Sequence, residues 1–501
     1  VLALVMVWSF TDLAWLWLNR HGWVVVGVDG PFASDELQYV SWVRESGQHL
    51  LVNNLYAGSV QHAWFLHPMF LISGALWRLG VPLSVALQVW KPVAAVGLVL
   101  SYGIVVRRLL ESEGARTAAL LLALFSASPL LVLTAWGSFS SSGLNTVAGA
   151  AYAAGQLWGY LPTACALALL AFALVSFATA IDGATAAPAR IHAQWTAIGA
   201  AVLASWLHPW EGTIGLLVVG AVGLWTVREQ RSSTAVRATA FVGAGFAVPL
   251  VYYLALNHEV AAWKVANHAV GATPSLPWLL VVLAPFMALA LFAGWWPDRP
   301  LERIVRVWAV VAIAASLVLG TTVPSHFLAS VGLPLSVLAV EGWRRQRLWR
   351  ASTARAIAGA ILVSLAIVPG TAAIAKITFD LQRARTQPHL ITHDEDRAFA
   401  WLDDAPRGVV LASTRLATAV PALTGLPTWF GHPNWTPDYA TRATRANALF
   451  AGTLSATEER AVVAESAARY LLADCSSHLD PASVAPGARV VTFGCVRVVV
   501  L

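Results

Sequence analysis

Charge is what this sequence has least of. Only 12% of its 501 residues are Asp, Glu, Lys or Arg, against 58% that are hydrophobic. Soluble domains carry about 25% charged residues, so half that density leaves too little polar surface to cover a water-soluble fold. No Gly-rich phosphate cradle of the Walker type is present, which argues against ATP or a nucleotide sugar handled on an inner face. No period of 20–50 residues stands out, so a repeat architecture is not indicated. The first apolar run, 1–18, lacks the basic start and small-residue cleavage site of a signal peptide. The net charge of +6 is no sign of nucleic-acid binding, because much of it is Arg in short loops between apolar runs.

What the chain has instead is apolar runs that approach the roughly 20 residues needed to cross a bilayer. They place spans near 1–18, 85–106, 117–135, 161–181, 194–207, 212–227, 237–256, 278–296, 307–321, 326–341 and 356–376, about eleven in all. Alternate loops then collect Arg107, Arg108 and Arg116, then Arg228, Arg231 and Arg237, then Arg299, Arg303 and Arg306, then Arg344 and Arg345. The Arg-rich side is expected to be cytoplasmic, with the N-terminus inside and the C-terminus outside. One segment, 67–79, is apolar but short, and counting it as a crossing would invert every later loop. It is expected to be a re-entrant or interfacial helix, buried by protein or lining a watery cavity; the alternative keeps it as a crossing with a compensating one within 137–160, which would turn Arg107 and Arg108 outward.

The expected fold class is therefore a polytopic α-helical membrane protein with a small C-terminal α/β extracytoplasmic domain. The expected division is a transmembrane module, 1–378, with a first outer loop at 19–66, followed by an extracytoplasmic domain, 379–501. That last stretch holds about half of the acids. It reads as helices at 394–404, 436–452 (from a Thr cap) and 457–468, strands at 408–413 and 469–475, and a terminal hairpin at 489–501 with Gly494 near its turn. Cys475 and Cys495 lie there, where an oxidising compartment would permit a disulfide.

Sorted by side, the polar residues gather outside. Of 13 histidines, only His192 falls in a cytoplasmic loop. The longest polar interruption of the first three quarters of the chain is 28–68, which reads as a loop between membrane segments. Within SDELQYVSWVRESG, Ser34 could cap a helix whose first turn holds Asp35 and Glu36. Such acids often do no more than favour a helix N-terminus, but beside aromatic residues and a lipid-accessible cavity they are candidate general bases. Asp29, in VDGP, is turn chemistry first and a second-choice acid. Asp12, an acid inside the first span, is a functional candidate by position.

The string SWLHPWEGT puts His208, Trp210 and Glu211 at the outer end of two spans. Glu211 is the candidate partner carboxylate. His62 and His67, which flank AWFL, could meet that group, and together they could contact phosphate or ligate a divalent metal ion. The spacing matches no established zinc pattern, so the metal question stays open. Arg44, Lys91, Lys264 and His326 are candidate contacts to an anionic lipid phosphate. For Lys91, at a span end, snorkelling is the commoner explanation. In TGLPTWFGHPNWTPDYATR, His432, Asn434 and two tryptophans suit sugar binding, or a loop that docks the domain on the membrane.

The layout resembles the GT-C class of integral-membrane glycosyltransferases, which take a sugar from a polyprenyl-phosphate donor outside the membrane. The likeness rests on a first span, a long acidic outer loop, DELQY followed by the HP-led helix HPMFLISGALWRLGV, many further spans and an outer C-terminal domain. The proline-led segment is similar to that of the protein O-mannosyltransferase and aminoarabinose-transferase branches. The resemblance implies Asp35 or Glu36 near the hydroxyl of a glycan, lipid or protein acceptor in the cell envelope. Many family members carry a second acidic site in the next outer loop, but 136–160 contains no Asp or Glu, so that part is either absent here or moved to Glu211. The competing readings are a lipid-linked-saccharide transporter or flippase, and a non-catalytic envelope assembly protein. The first would place ionisable groups near span centres, where apart from Asp12 there are almost none.

Overall fold

Runs of Leu, Val and Ala broken by Pro, Gly and short basic loops give a chain that is mostly helix. The computed structural model describes residues 1–58, 63–139, 141–268, 274–294, 297, 299–320, 323–346 and 352–501. Among these, five helices are long and apolar enough to cross a membrane: Leu83–Leu109, Leu161–Ile181, Pro209–Gln230, Ser233–Glu259 and Thr353–Arg383. The pair Pro324–Ser330 and Gly332–Arg345, bent by 48°, would make a sixth. Shorter apolar helices are α1 (Leu2–Leu18) and Leu276–Ala290. The stretch expected to span near 117–135 is two helices, Glu113–Phe125 and Leu131–Trp136. Pro129, which lacks an N–H, lies in the break between them.

Two compact units emerge. The first contains Val1–Phe10, Trp90–Leu254 and Val270–Ile377. Its centre is Leu161–Ile181, which is almost wholly buried and packs on Trp90–Leu109 and Ala187–Leu207. Glycine permits the closest backbone approach: a Cβ at Gly342 would overlap the Leu289 carbonyl oxygen. Lys91 is fully buried here and turns inward, donating from Nζ to the carbonyls of Ser9 (2.9 Å) and Leu157 (2.6 Å). The snorkelling expected of it does not occur, because two backbone carbonyls take its protons inside the protein.

The second unit contains Thr11–Val89, Ala255–Ala269 and Thr378–Leu501. Helix α2 (Ala33–Gln48) packs on α3 (Pro68–Arg78), meeting it where Gly47 and Gly74 leave no room for side chains. At about 1.5 Å per residue, the 11 residues of α3 fall well short of a hydrocarbon core of about 30 Å. The two-residue strands β1 (Val24–Val25) and β2 (Leu390–Ile391) pair antiparallel and join the early loop to the C-terminal segment. Four further strands form one sheet: β3 (Val409–Ala412), β4 (Ala468–Ala473), β5 (Arg489–Phe493) and β6 (Val496–Val500), in the order β3-β4-β6-β5. β3 and β4 run parallel, and β5 and β6 form the terminal hairpin, with Gly494 at φ +59° in its turn. Cys475 and Cys495 are joined in a disulfide.

Two caps differ from expectation. The helix Tyr439–Phe450 does not start on a Thr. Asp438 takes its N-cap position at φ +50°, and the Thr436 hydroxyl instead accepts the Gly431 N–H (3.1 Å). Ser34 does not cap α2 either. The helix begins two residues earlier, and its N-cap, Phe32, has no hydroxyl to offer.

Candidate functional site

The first turn of α2 points its two acids into different surroundings. Glu36 is fully buried. One of its carboxylate oxygens accepts the Asp29 backbone N–H and the other accepts Gln88 Nε2 at 2.7 Å. Gln88 also donates to the Gly27 carbonyl (3.1 Å). Glu36 thus staples the 27–29 turn to the helix, and both its oxygens are engaged. The Asp35 side chain keeps 29% of its surface exposed, and its Oδ1 accepts a hydrogen bond from His432 Nε2 at 3.1 Å. His432 Nδ1 accepts the Asn434 backbone N–H (3.1 Å), so the ring proton belongs on Nε2, facing Asp35. The pair therefore holds a carboxylate in one orientation while leaving its surface partly open.

Around this pair lie Tyr39 and Tyr56. Burial, and then the nearby carboxylates, push both phenols above the ordinary tyrosine range, so both remain neutral donors. Tyr56 spends its hydroxyl on the Thr418 carbonyl (3.1 Å). Two turns beyond Asp35, Trp42 meets Phe65 (4.8 Å) and Trp435 (5.3 Å), and Trp263 meets the same two rings (4.8 and 5.0 Å). With Asn53, Asn54 and Trp64 these rings line a small cleft.

The loop that leads into α2 is held from further away. Asp12, which is fully buried, accepts the Gly30 N–H at 2.6 Å and Gln382 Nε2 at 3.1 Å. The Gly30 carbonyl accepts from Gln382 Nε2 (3.2 Å) and His389 Nε2 (3.0 Å). Gly30 has φ +80°, a conformation that costs a side chain but not glycine. Sequence reasoning singled out Asp12 without a partner and missed Gln88, Gln382, Gln387 and His389. The available signal was the polar string QRARTQPHL directly after a long apolar helix.

Burial depresses His389 to about 4, although its bond to Gly30 works against this. Its folded-state pKa lies below the ordinary value, so the unfolded chain binds the proton first. The resulting stability is complete above about pH 6.5 and is lost as pH falls towards 4, at up to about 1.4 kcal/mol per pH unit. Thermal unfolding of His389→Gln, which keeps a donor, is expected to be less acid-sensitive than wild type between these limits. Equal acid sensitivity in both would remove His389 as the source.

The other sequence candidates of this unit are more varied. Arg44 is clamped by Asp403 (2.7 Å) and the carbonyls of Ala422 (3.2 Å) and Leu423 (2.9 Å), and it lies over Trp77. Its donors are spent holding the C-terminal segment. His67 is buried at the N-cap of α3 with its ring stacked on Phe70. Lys264 is exposed on the helix Ala261–His268, and Asn434 is exposed beside His432. His62 lies outside the described residues.

In the first unit, His208 sits at the N-cap position of the helix Pro209–Gln230, and its Nδ1 bonds the buried carboxylate of Glu211, three residues on. The Trp210 ring lies 4.8 Å from His208 and 4.7 Å from His326, and the two imidazoles lie 5.2 Å apart. The structure thus brings together His208, Trp210, Glu211 and His326 as one cluster. Among the described residues, the one grouping at metal-ligand spacing is Asp394, Cys475 and Cys495. The sulfurs there are bonded to each other, so they offer no thiolates, and that group does not fit a metal ion.

No family model matches the chain, and no curated protein matches it in sequence. Solved structures do. The oligosaccharyltransferase of Archaeoglobus fulgidus, in complex with Zn and sulfate, matches with a TM-score of 0.57 at 11% identity, covering 95% of this chain and 68% of that one. AglB from the same organism, in complex with an inhibitory peptide and a dolichol-phosphate, matches with 0.54 at 12% identity over 95% and 69%. ArnT from Cupriavidus metallidurans, bound to undecaprenyl phosphate, matches with 0.53 at 13% identity over 99% of this chain and 96% of that one. At such identities the likeness is one of fold: this mostly helical chain shares a fold with the Archaeoglobus fulgidus oligosaccharyltransferase AglB and with ArnT.

Proposed function

We propose that this chain is a membrane glycosyltransferase that moves a sugar from a polyprenyl-phosphate-linked donor to an acceptor hydroxyl on the outer face of a cell membrane. The observation that carries this reading is the Asp35–His432 pair: a half-open carboxylate, fixed by a neutral imidazole, at the start of a loop helix. The fold shared with AglB and ArnT supports it, as do the lipid phosphates bound by those two proteins.

In the proposed step the acceptor oxygen attacks the anomeric carbon. Its proton passes to Asp35 while the bond between that carbon and the phosphate oxygen breaks, and polyprenyl phosphate leaves with the electron pair. His432 keeps Asp35 aimed by donating from Nε2. The departing phosphate needs positive charge or donors, and exposed Lys264 is a candidate to supply it. Glu36 has a positioning part, since both its oxygens are already engaged. The segment 379–501 would face outward with the loop, as the Arg-rich loops on the other side require. Purified protein given labelled polyprenyl-phosphate sugars and a range of hydroxyl acceptors is expected to release polyprenyl phosphate in step with acceptor labelling. Translocation of the lipid without any sugar transfer would overturn the assignment.

A further inference from the structure

Helix α2 carries the acid on which the proposed chemistry depends, yet it has no cap of its own. Its N-cap residue is Phe32, whose own side chain makes no cap hydrogen bond. A helix start leaves four backbone N–H groups without intrahelical partners. The Ala33 N–H is taken by Gln387 Oε1, at 2.7 Å, from 354 residues away in the chain. The same amide turns its Nε2 to the Pro31 carbonyl at 3.0 Å. Gln387 precedes Pro388, which restricts its backbone to extended conformations and so limits where its side chain can reach.

We propose that Gln387 is a positioning residue: a cap supplied through the tertiary fold, which sets the first turn of α2 and thereby the place where Asp35 meets its substrate. This rests on the transferase reading for its chemical consequence, but its structural part stands apart from that reading. A local Ser or Asp cap would fix the helix start whether or not the C-terminal segment had docked. A cap lent by Gln387 fixes it only once the chain around 382–389 is in place. Asp12 and Gln382 act in the same sense one turn earlier, by gripping both sides of the Gly30 peptide. The loop that bears the acid is thus ordered by the chain that immediately follows the last long apolar helix.

The test compares Gln387→Leu, which loses both bonds, with Gln387→Glu, which keeps the oxygen that accepts the Ala33 N–H. The first readout is amide hydrogen exchange over residues 28–37, with the distant helix Ala456–Ser466 as control. Gln387→Leu should exchange at least about 5-fold faster in 28–37 alone, in line with loss of a cap, and Gln387→Glu should stay near wild type. The second readout is steady-state sugar transfer. Gln387→Leu should lose about 10-fold or more in kcat with little change in donor KM, and Gln387→Glu should recover most of it. Unchanged exchange in Gln387→Leu overturns the cap. Faster exchange with unchanged kcat overturns the positioning role. Absence of transfer by the wild type with every donor sinks the transferase reading and the positioning role with it, while exchange still decides whether Gln387 caps the helix.

Discussion

Asp35→Asn is expected to abolish sugar transfer, by about 10²–10⁴-fold, the range in which a positioned general base contributes, with thermal stability close to wild type. Asn keeps an oxygen to accept the His432 Nε2 proton, so the geometry survives, but an amide cannot take the acceptor's proton. Glu36→Gln should behave in the opposite way. Glu36 accepts two N–H groups, one on each oxygen, and its amide would turn an NH₂ toward one of them in a fully buried place. Leaving a buried donor unmatched costs about 1–3 kcal/mol, so the thermal midpoint should fall, with activity falling as a consequence. Measuring kcat and thermal unfolding on both variants separates the roles. High transfer activity in Asp35→Asn would eliminate Asp35 as the base, and a stable, inactive Glu36→Gln would hand that role to Glu36.

The second large effect concerns the disulfide. Cys475 and Cys495 are 20 residues apart in sequence and tie the end of β4 to the turn of the β5–β6 hairpin. By the chain-entropy argument, closing a loop of this size stabilises by about 3 kcal/mol. Reduction, or the pair Cys475→Ser and Cys495→Ser, should therefore lower the unfolding midpoint, and added reductant should have no further effect on the double variant. The Cys495 N–H also donates to Asp394 (3.3 Å), so loosening the turn should relax the start of the helix His393–Asp403. A midpoint unchanged by reductant in the wild type would show that the sheet holds this end without the bond.

Elements whose signal is local were legible in the sequence. The strands of the terminal sheet announce themselves through Val and Leu runs. The helix at 393–403 opens with a Thr392–Glu395 capping box, and the hairpin turns on Gly494. The candidate acid was legible too, as an acidic pair in the one long polar loop. Its neighbours were less so. His432 lies 397 residues from Asp35, and nothing in either local pattern points to the other. Arg44 and Lys91 looked from their positions like free cations. Packing decided otherwise, by surrounding them with carbonyls that a linear reading cannot place.

Composition and periodicity alone therefore determined that this chain is a mostly helical protein of apolar helices, with its polar side chains gathered in a few stretches. Both properties follow from burial and backbone hydrogen bonding over short distances. Tertiary structure alone decided which of two adjacent acids is half-open and which is a staple, because one residue along a helix is a rotation of about 100°. It also decided that the helix bearing them is capped by Gln387. A hydrogen bond between groups so distant in sequence has no signature until the chain has folded, since either partner is satisfied equally well by water in the unfolded state.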